Sequence, residues 1–441
     1  MMCAAPYQVM QQYYDWSTSL MIYKRSELGE GIGFTSIVDE KFKSCVLAVY
    51  FLTESDEKTA ALNNLSTGVL SVSNSRYTSY ASLCEKLSEL YGASVGSIAR
   101  KKGDAQILGL SASWLDDRYA IDGEDISGEM LSIVCDCLFA PNVQNGAFDS
   151  ESFAMVKKDL LDNISAEFNQ KRSYALTRAI QTAYRGEPAA IMEYGTKEAV
   201  LSSTAEEAYS AYKELLKTAK IEIYLVSPTE KPKFSDMFRE SFAKLDRTPK
   251  DVNMRNHSPL KAEVETVSEE YDVNQCKAVF NFKTDSDDRY ALKMLSIIYG
   301  ELPFSKLFLN VREKLSLCYY CTSRSISVKG AFFVDCGVER KNIEKAKDEI
   351  LAQLEEIKKG NISDTEIQGT LLALDNAVSQ VGDSPSSYVH WYADCFFEND
   401  YYTPEEHFRR FCDVTKERII AAANSLKLDS IYLMLNKEVQ E

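Results

Sequence analysis

The chain has 441 residues, of which 45% are hydrophobic and 26% charged, a composition typical of a soluble globular protein. A single core rarely serves a chain of this length, so we expect two domains of about two hundred residues each. The 50 basic and 66 acidic side chains give a net charge of −16. This charge argues against nucleic acid and anionic membranes as partners and permits basic peptides.

The start of the chain lacks the basic segment and apolar run of a signal peptide. No run approaches the roughly eighteen apolar residues of a membrane span. The 11 cysteines are scattered and odd in number, which favours reduced thiols over a disulfide framework. Together these features predict a cytoplasmic protein.

One α+β pattern occurs twice. Residues 48–65 (AVYFLTESDEKTAALNNL) align without gaps with residues 278–295 (AVFNFKTDSDDRYALKML), and each reads as a strand, an acidic turn and a helix. Residues 85–97 (EKLSELYGASVGS) correspond to residues 313–323 (EKLSLCYYCTS), where a helix end runs into a strand. The sequence therefore predicts two homologous domains of class α+β, each an antiparallel-rich sheet covered by helices.

Hydrophobic periodicity locates the other elements. Further strands are predicted at 106–115, 221–228, 330–339 and 430–437. Long helices are predicted at 153–169, 343–360 and 364–381. Two pairs have the spacing of capping boxes, which mark helix starts: Ser203 with Glu206, and Ser363 with Glu366.

A polar segment separates the two halves. Residues 248–261 (TPKDVNMRNHSPLK) hold two prolines and show no periodicity, so they are predicted to form a linker. The predicted division is a first domain at 1–247, this linker, and a second domain at 262–441.

Few residues suggest chemistry directly. His257, His390 and His407 lie in separate segments, and none has a second histidine four residues away. This excludes a zinc site with two histidines on one helix, and lone histidines are more often structural. The CYYC segment at 318–321 lies on a predicted strand, where positions three apart face opposite ways. Buried structural thiols are therefore favoured over a redox or zinc site.

One helix carries polar side chains at the spacing of metal ligands. In ALNNLSTGVL (61–70), Asn63, Ser66 and Thr67 occupy positions i, i+3 and i+4 and share one helix face. A helix presents zinc ligands and a general base at this spacing. Amide and hydroxyl groups, however, bind metals poorly.

The repeated half, the closing strands and the segment FSKLFLNVREKLSLCYY (304–320) together resemble the inverzincin peptidases, which include pitrilysin, insulysin and the mitochondrial processing peptidase. The resemblance covers nearly the whole chain. It implies half of a clamshell: two domains in each subunit, and two subunits that close around a peptide. The family's catalytic half has an HxxEH helix that supplies two zinc ligands and a glutamate base, and a later glutamate is the third ligand.

The resemblance implies that this chain has lost the zinc site. Asn63, Ser66 and Thr67 stand at the His, Glu and His positions. Asn163 stands at the third-ligand position, with Val156 at the accompanying acidic position. Neutral groups cannot replace two imidazoles and a carboxylate around zinc, and no carboxylate remains to deprotonate water. We therefore expect no metal in this chain, zinc in a partner subunit, and no cleavage by this chain alone.

A second family motif is intact. Members carry an Arg and a Tyr seven residues apart, at a helix end and on the next strand, and Arg312 and Tyr319 match this pair. Tyr320 is the competing register, because adjacent strand residues face opposite ways. The resemblance implies that both side chains reach the zinc site of the other subunit. There the Arg would hold the peptide carbonyls and the Tyr hydroxyl would donate to the oxyanion.

Three functions remain open. The first is a non-catalytic subunit of a heterodimeric zinc peptidase, closest to the inactive members of Gram-positive bacterial pairs. It would enclose peptides or unfolded segments and supply Arg312 and Tyr319 to an HxxEH-bearing partner. The second is a structural or peptide-binding homologue with no part in catalysis, like core subunits of respiratory complexes, with a homodimer possible. The third is an enzyme with a different metal site, although no ligand cluster has recognisable spacing.

Overall fold

Two large β-sheets, one in each half of the chain, form the framework of the protein. The computed structural model describes residues 21–437. The strands of the first half are β1 (Ile22–Gly29), β2 (Ile32–Val38), β3 (Ser44–Glu54), β4 (Ser94–Lys102), β5 (Ala105–Leu115), β6 (Val143–Gln144), β7 (Ala147–Phe148) and β8 (Lys220–Ser227). Those of the second half are β9 (Glu265–Tyr271), β10 (Cys276–Lys283), β11 (Cys318–Ile326), β12 (Ala331–Val338) and β13 (Lys427–Asn436).

Helices follow the strands in both halves. The first half has α1 (Ala60–Leu70), α2 (Tyr80–Glu89), α3 (Ile126–Phe139), α4 (Ser150–Ala166), α5 (Lys171–Ala183), α6 (Lys197–Ser202), α7 (Ala205–Thr218) and α8 (Pro232–Phe242). The second has α9 (Arg289–Ser296), α10 (Ile343–Lys358), α11 (Asp364–Ser379), α12 (Pro385–Phe397), α13 (Pro404–Cys412) and α14 (Lys416–Ser425). Two π-helical segments, Ile297–Glu301 and Leu307–Lys314, lie between α9 and β11.

The internal repeat is visible in the sheet topology. The first sheet has the order β1-β2-β8-β3-β5-β4, and the second has the order β9-β13-β10-β12-β11. In each sheet one pair is parallel, β2 with β8 and β9 with β13, and the other pairs are antiparallel. The two sheets therefore share one topology, with β1 added at the edge of the first. The predicted α+β class with two homologous halves is confirmed.

Each central strand is buried on both faces. Along β3, Leu47, Val49 and Phe51 pack into a core made by helices of the first half. The intervening Ala48 and Tyr50 belong to a second core on the other face of the sheet. Burial on both faces explains why this strand is a nearly continuous apolar run.

The second face of each sheet is covered by a helix from the opposite half. Helix α12 of the second half contributes Tyr388 and Tyr392 to the core on the first sheet. Helix α5 of the first half packs reciprocally against β10 and β13 of the second sheet. Its Ala175, Ala179 and Ala183 lie four residues apart on one helix face, where their small side chains permit close packing on the sheet. The two halves thus complete each other's cores.

A buried ion cluster joins the turns between β4 and β5 and between β11 and β12. The Lys329 ammonium donates to Asp104 Oδ1 at 3.0 Å and to Glu187 Oε2 at 3.1 Å. Asn256 Nδ2 also donates to Asp104, at 3.0 Å. Because Lys329 and Asp104 come from opposite halves, this cluster is a second tie between them.

Residues 248–261 contain no helix or strand, as predicted for a linker. The segment is nevertheless attached to both halves: the Thr248 amide donates to the Lys217 carbonyl, and the Asn256 amide to the Val328 carbonyl. The domain limits at 247 and 262 stay a prediction, and residues 1–20 of the first predicted domain lie outside the described residues.

One of the two predicted capping boxes is correct. Ser363 and Glu366 form the box that begins α11. The box that begins α7 is formed by Thr204 and Glu207, so the prediction for Ser203 and Glu206 is wrong by one residue. Ser203 Oγ instead donates back to the Ala199 carbonyl at 2.7 Å.

Removing the Lys329 ammonium should destabilise the whole fold. In Lys329→Ala the carboxylates of Asp104 and Glu187 remain in place without their buried cation. We expect the free energy of unfolding, measured by urea denaturation, to fall by about 3–5 kcal/mol. The control is Lys341→Ala, which removes an exposed pair with Glu339 and should cost less than about 1 kcal/mol. Equal losses in the two variants would contradict a structural role for the cluster.

Candidate functional site

The polar face of α1 is satisfied by bonds within the protein. Asn63 Nδ2 donates to Gln106 Oε1 at 3.1 Å. Ser66 Oγ donates to the Asn63 carbonyl at 2.8 Å, and Thr67 Oγ1 to the same carbonyl at 3.2 Å. All three side chains are buried. Their polar groups are therefore engaged with helix backbone or a buried amide.

Helix α4, which carries the implied third-ligand position, packs closely on α1 but does not complete a site. A Cβ added at Gly68 would lie 2.6 Å from Val156 Cγ1, so the two helices approach closely at this point. Asn163, two turns further along α4, is exposed. The helix contact is therefore made by an apolar side chain.

The residues present at these positions do not fit a zinc ion. Asn63, Ser66 and Thr67 offer one amide and two hydroxyl groups that are already hydrogen-bonded, and Asn163 offers a second amide, whereas zinc binds imidazole, thiolate or carboxylate groups. Within residues 21–437, no group of three or more His, Cys, Asp or Glu side chains is placed to hold a metal ion. These side chains therefore cannot hold a zinc ion that would polarise a carbonyl or activate water.

A cleft of about 1070 Å³ opens beside the start of α1. Asn63 lines it, together with the acidic turn after β3 and the loop after α5. The Lys101 ammonium holds that loop by donating to the carbonyls of Pro188 at 2.8 Å, Ala189 at 2.5 Å and Ile191. Burial lowers the pKa of Lys101 to about 8. Lys101 is therefore one of the groups that hold this wall of the cleft.

Arg312 lies in the second π-helical segment, just before β11. Its guanidinium carbon is 4.6 Å from the centroid of the Phe308 ring, and its Nε is 3.5 Å from Glu313 Oε1. The side chain is 42% exposed. The ring and the carboxylate orient the guanidinium, and no hydrogen bond to its other N–H donors is made by residues 21–437.

Tyr319 lies at a β-bulge. Cys318 pairs with Val338 and Tyr320 with Gly337, so Tyr319 is the extra residue on β11. The residue is 71% exposed. Tyr320 instead packs against α5, with the Arg172 guanidinium 4.5 Å from its ring centroid, and burial raises its pKa. Of the two registers weighed from the sequence, Tyr319 is the one that faces solvent.

Two of the three histidines have structural surroundings, whereas His390 is exposed on α12. His407 stacks on Tyr402, with ring centroids 4.6 Å apart and an interplanar angle of 11°. Burial, followed by the nearby Arg289 and Arg410, lowers its pKa to about 4. His257 Nε2 lies 3.2 Å from the Ser327 carbonyl, which ties the linker to the second half.

Sequence reasoning missed Gln106 and Lys101. Gln106 is fully buried on β5, and its Nε2 donates to the carbonyls of Ala60 and Glu193 at 2.9 and 2.6 Å. An amide before an apolar strand run was a usable signal, because a buried amide requires partners. Lys101 had no comparable signal, since its three carbonyl partners lie about ninety residues away in sequence.

The family model described as Peptidase M16 inactive domain matches residues 202–374. The curated protein "Probable inactive metalloprotease YmfF" from Bacillus subtilis (strain 168) is 30% identical over 407 residues, covering 90% of this chain and 94% of that protein. A crystal structure of a conserved protein from Enterococcus faecalis V583 matches with a TM-score of 0.88 and 27% identity, covering 95% of this chain and all of the other. A peptidase M16 inactive domain from Pseudomonas fluorescens has the same fold, with a TM-score of 0.77 and 16% identity over 95% of this chain and 99% of its own.

None of the helices described between residues 21 and 437 is long and apolar enough to cross a membrane.

The isolated chain should bind no zinc stoichiometrically. We expect less than about 0.1 zinc per chain by elemental analysis after incubation with zinc and desalting, because amide and hydroxyl donors are weak ligands. An HxxEH peptidase of the same family is the positive control. One zinc per chain, lost on substituting Asn63 and Thr67 by Ala, would contradict the assignment of a degenerate site.

The lowered pKa of Lys101 predicts a pH-dependent stability. Between about pH 8 and its ordinary pKa of 10.5, the unfolded chain holds a proton that the folded chain has released. The Lys101 contribution to the free energy of unfolding should therefore rise with pH across this window, by up to about 3 kcal/mol. The measurement is the difference in unfolding free energy between wild type and Lys101→Met from pH 7.5 to 10. Lys58→Met, on the exposed turn, is the control, and a pH-independent difference for Lys101→Met would refute the prediction.

Proposed function

The chain belongs to the M16 metallopeptidase family as an inactive member, and from this premise we propose that it is the non-catalytic subunit of a heterodimeric zinc peptidase. In this role it forms half of the substrate chamber and supplies Arg312 and Tyr319 to a partner chain that carries HxxEH and holds the zinc. The substrate is a peptide or an unfolded segment small enough to be enclosed.

The contrast between the two motifs carries this proposal. The positions of the zinc motif hold neutral side chains that are buried and bonded within the protein. Arg312 and Tyr319 are exposed, and the Tyr319 hydroxyl has no hydrogen-bond partner among residues 21–437. A large aromatic side chain that is exposed on a bulge buries little apolar surface, so it contributes little to the stability of the fold. Its exposure supports a contact made outside this chain.

The two side chains suit complementary tasks. The planar guanidinium of Arg312 has a fixed fork of donors, which can engage the carbonyl oxygens of an extended peptide and hold it in register. Phe308 and Glu313 limit its rotation, so less entropy is lost when the peptide binds. The Tyr319 hydroxyl can donate to the oxygen that gains negative charge at the scissile carbonyl. Neither task requires a metal in this chain.

The second candidate is a peptide-binding homologue without a part in catalysis. The cleft beside α1 favours it, because its walls are formed without Arg312 or Tyr319. In that case the isolated chain forms a homodimer or joins a larger assembly, and the Arg–Tyr pair is dispensable. We propose a cytoplasmic location for either role, since the cysteines of the described part of the chain are free thiols.

Peptide cleavage in a reconstituted pair tests the catalytic role. We expect the purified chain mixed with an HxxEH-bearing chain from the same genome to cleave a fluorogenic peptide. Arg312→Ala and Tyr319→Phe should each lower kcat/KM about a hundredfold, because each removes donors to the bound peptide or the oxyanion.

Matched controls separate this effect from damage to the fold. Arg239→Ala and Tyr119→Phe change exposed side chains of the same types elsewhere and should leave the rate unchanged. Zinc in the partner and the elution volume of the complex should be the same for all variants. Unchanged rates in both Arg312→Ala and Tyr319→Phe would remove the catalytic role. A homodimer that ignores the HxxEH chain on sizing chromatography would favour the second candidate.

A further inference from the structure

The cleft beside α1 is lined by more acidic than basic side chains. Its carboxylates are those of Glu54, Asp56, Glu57, Glu187 and Glu214. Its cations are Lys58, Arg178 and Lys250. Several of these groups already have partners, in the pairs Arg178–Glu269, Glu187–Lys329 and Glu214–Lys250. The charge that remains without a partner therefore belongs to the turn after β3.

Three carboxylates of this turn are uncompensated. Glu54, Asp56 and Glu57 form no ion pair with any residue from 21 to 437. Lys58, in the same turn, offsets only one of the three charges. The turn thus gives its wall of the cleft a negative potential, which attracts cationic groups.

The second half contains the corresponding turn with most of its acids paired. This turn, at 284–288, follows β10 in the internal repeat. Asp287 accepts from Arg255 at 2.7 Å, and Asp288 accepts from Arg418 at 2.8 and 2.9 Å. The smaller cleft that it lines, of about 680 Å³, has as many cations as acids in its walls. The fold therefore accommodates a neutralised turn at this position, and unpaired acids are not a requirement of the repeat.

A buried hydroxyl in the first turn also lacks a partner. Ser55 lies between Glu54 and Asp56 and lines the cleft, and it is only 3% exposed. Its amide donates to the Asp104 carbonyl at 2.8 Å, but its Oγ makes no hydrogen bond to the described part of the chain. A buried hydroxyl without a partner costs free energy unless a bound group engages it. This observation is independent of the charges and also points to a bound polar group.

We propose that the cleft binds Lys or Arg side chains of a positively charged peptide segment, with Glu54, Asp56 and Glu57 as their counter-ions. Such side chains combine an apolar stem with a charged head. The stem suits apolar lining residues such as Ile191 and Leu215, and the head can donate to the carboxylates and to the unpartnered hydroxyl. The volume of about 1070 Å³ lies at the upper end of the range for ligand pockets, about 300–1,000 Å³, which suits a peptide segment better than a single ion.

This inference deepens the proposed function, because it names the class of peptide that the cleft accepts. Only the statement that the bound peptide is also a substrate rests on the proposed function. Binding itself requires neither a partner chain nor zinc, so it can be measured on the isolated chain.

Peptide binding to the full-length chain tests the proposal. The probe is a fluorescein-labelled peptide of alternating Lys and Ala, followed by fluorescence anisotropy, with a peptide of alternating Gln and Ala for comparison. We expect the Lys peptide to bind and its Kd to rise with salt, because salt screens exposed charges. Equal affinity for the Gln peptide would overturn the proposal. Spermidine that competes as tightly as the Lys peptide would assign the site to small polyamines and overturn the peptide.

Neutralising the turn should weaken binding. In the triple variant Glu54→Gln, Asp56→Asn and Glu57→Gln, we expect the Kd for the Lys peptide to rise about tenfold, since three exposed ion pairs of modest strength are lost together. Asparagine at position 56 retains a side-chain oxygen that can accept from the Lys58 amide, as Asp56 does at 2.7 Å. The turn can therefore keep its conformation in this variant.

The matched control makes the same change in net charge elsewhere. Glu85→Gln, Glu240→Gln and Asp348→Asn together neutralise three exposed acids that form no ion pair within residues 21–437. This control should leave the Kd within about twofold of wild type. An equal rise in both triple variants would show a general charge effect and refute the site.

Ser55→Ala separates a ligand contact from a structural role. Because its Oγ has no partner in the free chain, the melting temperature should be unchanged or higher, whereas the Kd should rise about three- to tenfold. A lower melting temperature with an unchanged Kd would show that the hydroxyl is structural and would overturn its part in binding.

The same variants distinguish this inference from the proposed catalytic role. In a reconstituted pair, the triple variant of the turn should raise KM for the Lys peptide and leave kcat nearly unchanged. If the pair cleaves nothing but the isolated chain still binds the Lys peptide through this turn, the catalytic role fails and the binding site stands. If the pair cleaves and the triple variant binds like wild type, the binding site fails alone.

Discussion

The exchange of helices between the two halves is the interaction on which the rest of the structure depends. A sheet whose central strands are apolar on both faces cannot remain open to water on one of them. The first sheet obtains its second cover from α12 and the second sheet from α5, each supplied by the opposite half. Neither half can therefore bury its own sheet, and the sites described above are held by one jointly packed body.

Helix α5 connects this packing to both candidate sites. Its Arg172 lies over the ring of Tyr320 and pairs with Asp335 on β12, with 2.6 Å between Nε and Oδ2. This contact keeps the Tyr320 ring between the second sheet and α5, and Tyr319 at the bulge faces solvent. The loop that follows α5 is held by Lys101 and forms a wall of the cleft beside Asn63. A single exchanged helix thus positions the exposed tyrosine and the cleft wall.

Local sequence patterns predicted the helices and strands. They did not predict the contacts between parts of the chain that are far apart in sequence. The alignment of residues 48–65 with 278–295 predicted the repeat, and the sheet order confirms it. The predicted capping box of α7 is wrong by one residue. Ser203 with Glu206 and Thr204 with Glu207 have the same spacing, and the structure uses the second pair. The sequence of an amphipathic helix such as α5 does not show which sheet the helix covers. A single extra residue in a strand likewise cannot be recognised from hydrophobic periodicity. Both features therefore required the structure.

The buried hydroxyl groups of Ser66 and Thr67 show how this face of α1 is stabilised by the protein itself. A helix face built for imidazoles and a carboxylate would bury unpaired polar groups if the ion were absent. Short hydroxyl side chains avoid that cost, because they donate to carbonyls of their own helix. Asn63 is likewise satisfied by Gln106, which in turn bonds the Ala60 and Glu193 carbonyls. Hydrogen bonds and packing within the protein thus maintain the position of α1, whereas Arg312 and Tyr319 stay exposed on the other half.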